Sequence, residues 1–201
     1  MKSPLMYQMT EETSGDVAVY NCISYLFARE EMPLEFLNMM ASYSVSCYDE
    51  DGVLSNKEFY ENFLFFTSSW IGDYAKEKHI PLSSRYLSGD DVNLLTIRRC
   101  LLAGGCVDLK TFRRGRHYVT ITGMDDEYMF IFDPYFRPEG SYRPQMGIEV
   151  VLDKPFEYNR KVKIEKFIEE HTAELCLGEK DDREAVFFYN NNAVLQREFV
   201  V

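Results

Sequence analysis

The sequence predicts an α+β fold, with N-terminal helices packed on an antiparallel β-sheet. Apolar residues recur at helical spacing through the first half of the chain, and the second half switches to short runs rich in β-branched and aromatic residues. Helices first and strands later point to segregated layers. With 201 residues, 46% of them hydrophobic and 15% aromatic, the chain is long and apolar enough to bury one sizeable core. No repeat, low-complexity tract or linker divides it, so residues 1–201 are expected to form a single domain.

The first helix is expected over about residues 14–29, where Ser14-Gly15 opens a run containing Val17, Val19, Ile23, Leu26 and Phe27. Glu30-Glu31-Met32-Pro33 interrupts it, and Pro33 suits the first turn of a short helix over 34–43. Asp49-Glu50-Asp51-Gly52 reads as a loop; it lacks the later alternating ligands of a calcium loop. Over 57–78 a long helix is expected, because Phe59, Phe63, Phe66, Trp70 and Tyr74 fall on one face. That face suits the core, or one wall of an apolar substrate groove. Ile80-Pro81 ends the helix, a short strand covers 83–87, and Ser88-Gly89-Asp90-Asp91 caps a helix over 91–102 that Gly104-Gly105 closes. Strands are then expected over 106–112, 117–123, 128–133, 147–151 and 184–190, with one more helix over 163–170.

Charge and cysteine content narrow the function. A formal net charge of −11 argues against a nucleic-acid partner, which needs clustered Lys and Arg. The densest basic cluster, Arg113-Arg114-Gly115-Arg116, abuts His117 and reads as a solvated loop or as a contact for an acidic partner. Five cysteines, odd in number and without a Cys-x-x-Cys pair, fit free thiols in a reducing compartment. The N-terminus lacks the apolar core of a signal peptide, and no apolar run reaches the length of a membrane span. A cytoplasmic protein is the expectation. The absence of a Cys/His cluster at ligand spacing argues against a catalytic metal, and no cofactor is implied.

One constellation carries chemistry. Ser14 stands at a helix N-terminus, where free backbone N–H groups and the helix dipole favour a nucleophile and a developing anion. Gln8, six residues upstream, offers a side-chain donor to an oxyanion. His117 begins one strand and Asp133 ends the next, so antiparallel pairing can set the carboxylate against the imidazole. A nucleophile, a base, a group that orients the base and donors for the oxyanion are what acyl transfer requires. Gly15, Trp70 and Tyr118 are the candidate substrate contacts. Cys22 reads as core, eight residues into the helix, and His79 and His171 read as helix-end residues.

The order Gln8, Ser14-Gly15, His117-Tyr118-Val119 and Phe132-Asp133-Pro134-Tyr135 resembles papain-like cysteine peptidases, and most closely the bacteriocin-leader (double-glycine) peptidase-like family. The resemblance spans about residues 5–136, and the tail around Tyr158-Asn159-Arg160-Lys161-Val162 is similar to a stand-alone bacterial subgroup. It implies a papain-like fold and a covalent acyl-enzyme. Where the family has cysteine this chain has Ser14, followed by Gly15-Asp16. A hydroxyl lacks the thiol's ready ionisation, so the Ser14 form reads as an inactivated variant of a cysteine enzyme. Leader peptidases of this type are usually fused to a transporter, and no membrane segment follows here. The resemblance therefore implies an N-acyltransferase that takes a fatty acyl group from an acyl carrier protein and passes it to a small amine. A cysteine peptidase cutting after small residues, or a silent binding module, are the alternatives.

Overall fold

The computed structural model describes residues 1–10, 13–43 and 62–193. The expected loop at 49–52, Cys47 and Phe59 lie outside the described residues.

The helical half supplies α1 (Ser14–Leu26), α2 (Leu34–Tyr43) and α3 (Phe63–Glu77). Then follow β1 (Leu82–Ser88), α4 (Leu94–Leu102), β2 (Cys106–Phe112), β3 (Arg116–Met124), β4 (Tyr128–Phe132), β5 (Ile148–Val150), β6 (Arg160–Lys163), α5 (Ile164–Phe167) and β7 (Glu184–Asn190). The seven strands form one antiparallel sheet in the order β1-β7-β2-β3-β4-β6-β5. The α+β expectation therefore holds.

Several boundaries shift for local reasons. The first helix stops at Leu26, because Phe27 turns extended and buries its ring. The helix expected from 91 begins at Leu94, and its cap is Asn93, whose side chain accepts from Thr96 N at 3.0 Å. The helix expected over 163–170 is a single turn preceded by β6, a strand the periodicity does not reveal.

Side chains alternate across the central strands, so the sheet separates two cores. On one face Cys106, Tyr118, Val186 and Phe188 pack with Ala18 and Cys22 of α1 and with α2 and α3. On the other, Val107, Leu109, Val119, Ile121 and Ile131 pack with Ile97 of α4 and Phe167 of α5. Helix α1 is tied to β3 by Thr120 Oγ1 donating to Ala18 O at 3.0 Å and by Tyr25 OH donating to Thr122 O at 2.8 Å. Helix and strand therefore run in the same direction, and their N-termini lie toward one end of the sheet.

Among the described residues, no helix is long and apolar enough to cross a membrane.

Candidate active site

That end of the sheet holds the candidate residues. His117 is the second residue of β3 and pairs with Thr111 of β2. Asp133 follows the last residue of β4. Thr120 faces Phe132 across the β3–β4 ladder, which places Asp133 one step beyond and diagonal to His117. His117 Nε2 lies 2.8 Å from Asp133 Oδ1, with the carboxylate fully buried and the imidazole 3% exposed. A carboxylate only accepts, so Nε2 carries the proton and Nδ1 is left as the basic nitrogen.

Asp133 is held on every side. Its Oδ1 also accepts from Tyr135 N at 2.8 Å. Asn159 grips its backbone twice, with Asp133 N donating to Asn159 Oδ1 at 2.8 Å and Asn159 Nδ2 donating to Asp133 O at 2.7 Å. The guanidinium of Arg160, fully buried, stands 3.7 Å from Asp133 Oδ2. The sequence does not single out Asn159 or Arg160 as site residues, since both lie beyond the stretch 5–136 that carries the resemblance.

The segment before α1 is fastened to the same end. Met6 N donates to Asn21 Oδ1 at 2.7 Å and Asn21 Nδ2 donates back to Met6 O at 3.0 Å. Two residues on, Gln8 N donates to Pro134 O at 2.9 Å, so Gln8 sits against the turn that carries Asp133. The Gln8 amide nitrogen itself donates to Thr10 O at 2.8 Å. Tyr7 packs its ring on Phe132, 5.3 Å between centroids.

Ser14 is buried at the first position of α1. Among the described residues no hydrogen bond joins it to His117. Gly15 packs so tightly on Phe63 that an added Cβ would lie 2.7 Å from the ring. Phe63 in turn meets Tyr118 edge-on, with 5.4 Å between centroids. Gly15 and Tyr118 thus share one aromatic contact beside Ser14. Trp70, two turns further along α3, packs on the helical core instead.

A second pair of acids lies where α1 packs on the sheet, half-buried Asp16 on the helix and Asp108 on the strand. Asp108, on β2 and facing α1, is fully buried, and among the described residues neither carboxylate oxygen has a hydrogen-bond partner. Burial first, and the neighbouring Asp16 second, push its pKa well above the usual carboxylate range. Burial pushes the Asp16 carboxyl up to about 6. The thiols of Cys22 and Cys106 are raised by burial as well, which makes Cys22 a core residue and a poor nucleophile. His79 is exposed, and His171 is exposed beside Glu169. No group of acidic, histidine and cysteine residues suited to a metal occurs among the described residues.

No family model matches the chain, and no curated protein matches it. Among solved structures it is similar to a crystal structure from Bacillus anthracis described as a "putative C39-like peptidase", with 16% identity and a TM-score of 0.35 over 60% of this chain and 57% of that one. The alignment spans less than two thirds of either protein, and a likeness of that size carries no argument. What distinguishes this end of the sheet is its own construction: a buried imidazole with one nitrogen fixed on a carboxylate, set at the end where a helix begins.

Proposed function

We propose that the chain is built for papain-like acyl transfer, with residue 14 as the nucleophile position, His117 as the base and Asp133 as the group that orients it. The buried His117–Asp133 hydrogen bond carries the reading. It fixes one tautomer and leaves Nδ1 as the proton acceptor. The packing of α1 on β3 brings residue 14 and His117 toward the same end of the sheet but, by the strand's alternation, on opposite faces, so the reading requires them to meet around the end of β3. Ser14 lies one turn before Ala18, about 6 Å along the helix. His117 lies three residues before Thr120, about 10 Å along the strand and toward the same end.

His117 takes the proton of residue 14 as its side chain attacks an acyl carbonyl. The first backbone N–H groups of α1, and the amide of Gln8, receive the oxyanion. His117 returns the proton to the leaving group; an amine then attacks the acyl-enzyme, His117 takes the amine's proton and passes it to the side chain of residue 14 as that bond breaks, and an N-acyl amide leaves. The Ser14 hydroxyl depends wholly on the base, so this form is read as a silenced version of a cysteine site.

The charge distribution supports an acidic acyl donor, such as an acyl carrier protein. On a chain of net charge −11, Arg113, Arg114 and Arg116 gather in the β2–β3 hairpin beside His117. Arg114 holds the tip with a left-handed φ of 57°.

Intact-protein mass spectrometry of the Ser14→Cys variant, incubated with acyl-carrier thioesters and with peptides, tests this. A covalent acyl adduct from the carrier, formed about 100-fold faster than with Ser14 and discharged by an added amine, is the expected result. Peptide cleavage without a carrier adduct would make the protein a peptidase. No adduct and no cleavage would leave a binding module.

A further inference from the structure

The His117–Asp133 pair poses a problem that Arg160 solves. A fully buried carboxylate is strongly driven to take up a proton, and a neutral carboxyl cannot serve as a charged anchor for an imidazole N–H. Asp133 Oδ1 has its partners in His117 and Tyr135, whereas Oδ2 has no hydrogen bond at all. What Oδ2 has is Arg160, at 3.7 Å.

We propose that Arg160 is a positioning residue, which holds Asp133 in its charged form and thereby sets how far the pH can fall before His117 loses its anchor. The inference rests on the reading of His117 and Asp133 as base and orienting group. Arg160 is pinned where it is: Nη1 donates to Asn159 O and Nη2 to Tyr135 O, each at 2.8 Å. Both carbonyls are neutral, so they hold the two terminal nitrogens without cancelling the charge, while among the described residues Nε has no hydrogen-bond partner.

The other ionisable groups around the pair leave that charge unopposed. Arg137 pairs with Glu174 at 2.7 Å and also acts on Asp133 through its charge, from outside ion-pair distance. Tyr142, beside Arg160, has its phenol pushed up to about 12 by burial and by Asp133, and so stays neutral. Tyr135 stacks under Arg113, 3.2 Å from ring centroid to guanidinium. Of these cations Arg160 alone is fully buried, in ion-pair reach of Asp133 and, among the described residues, without another carboxylate within 4 Å. A guanidinium is suited to this, because it does not lose its proton in a protein.

The test is imidazole nitrogen NMR on the Ser14 protein, followed on acidification. Three histidines keep the spectrum simple, and His79 and His171 are exposed. In the parent protein the Nε2–H signal of His117, bonded to Asp133, persists to acid pH. In Arg160→Met it is lost about one pH unit higher or more, and Arg160→Lys stays near the parent. Asp133→Asn removes the carboxylate, so adding Arg160→Met to it moves the His117 signal no further. A folded Arg160→Met protein that keeps the parent's pH limit overturns the proposal, as does an equal shift in Arg160→Lys. If Arg160→Met fails to fold, Asp133→Asn is added: recovery of the fold supports an uncompensated carboxylate as the cause, and no recovery overturns it. None of these readouts needs residue 14 to be a nucleophile, so failure of the acyl-transfer reading is detected separately, by the Ser14→Cys adduct experiment.

Discussion

Asp133 and Asp108 are both fully buried in the same sheet, and the protein treats them in opposite ways. Asp133 has an imidazole, a backbone N–H and a guanidinium gathered around its side chain, and Asn159 locks its backbone. Asp108 lies on the face toward α1 with no hydrogen-bond partner among the described residues, and the charged group coupled to it is another acid, Asp16. Buried charge is tolerated where partners offset the loss of water, and otherwise the acid keeps its proton. The contrast separates an aspartate surrounded by donors from one that burial keeps as a neutral polar group against α1.

The largest effect expected from breaking this comparison is that of Asp133→Ala. It leaves the Arg160 guanidinium buried without a counter-charge and lowers stability by about 3–5 kcal/mol in urea denaturation. Asp108→Asn swaps a neutral acid for a neutral amide and changes stability at pH 4 by well under that. Equal losses from the two substitutions would erase the distinction.

Asn159→Ala comes next. It removes two buried hydrogen bonds from the Asp133 backbone and costs about 2–3 kcal/mol. It also loosens the His117 anchor, so the Nε2–H signal broadens in proton NMR. A sharp, unchanged signal would show that β4 positions Asp133 without help.

The acids where α1 packs on the sheet give a smaller, pH-dependent effect. Both fold with raised values, so each binds its proton more tightly in the folded protein than in the unfolded one. Stability therefore falls as pH rises above their ordinary value of 3.8, and the share from Asp16 levels off above about pH 6. Asp16→Asn is expected to flatten the fall between those limits, and Asp108→Asn to flatten a part that extends to higher pH, each by about 1–2 kcal/mol. Urea melts at pH 4, 6 and 8 read this directly; an unchanged slope in both variants contradicts the assignment.

Thr120→Val is the mildest, removing only the bond from Thr120 Oγ1 to Ala18 O, with a loss of about 1 kcal/mol. A much larger loss would mean that this bond alone sets α1 on β3.

The two aspartates also show what a sequence reveals. His117 and Asp133 are legible because they bracket two well-marked strands, β3 and β4, whose turn and apolar faces predict antiparallel pairing. Asp108 gives no sign of its burial, since one acid in Cys106-Val107-Asp108-Leu109-Lys110 reads as the solvent face of an edge strand. β2 is instead central and covered on both sides, a consequence of β7 returning from far downstream to pair Ala185 with Leu109 and Phe188 with Cys106. β6 was missed for a related reason. Arg160-Lys161-Val162-Lys163 looks like a solvated loop, yet Val162 fills the core and Arg160 lies under Asp133. The alternation of those four residues is one of burial in the folded sheet, with Arg160 and Val162 inside, and three basic residues in four hide it from the sequence. The cap of α4 was placed too early, because Ser88 and Asn93 are equally good caps and the intervening 3₁₀ turn decides between them.

The most direct test of the account is the pH dependence of alkylation at residue 14. The Ser14→Cys protein would be treated with iodoacetamide across pH 4–9 and modification at that residue read by peptide mass spectrometry. The buried thiols of Cys22, Cys100 and Cys106, all raised by burial, should stay unmodified. A nucleophile served by His117 reacts well below the ordinary thiol range near 8.5, and His117→Ala abolishes that acid reactivity. A reaction that begins only near 8.5 and ignores His117 would contradict the placement of residue 14 beside the base.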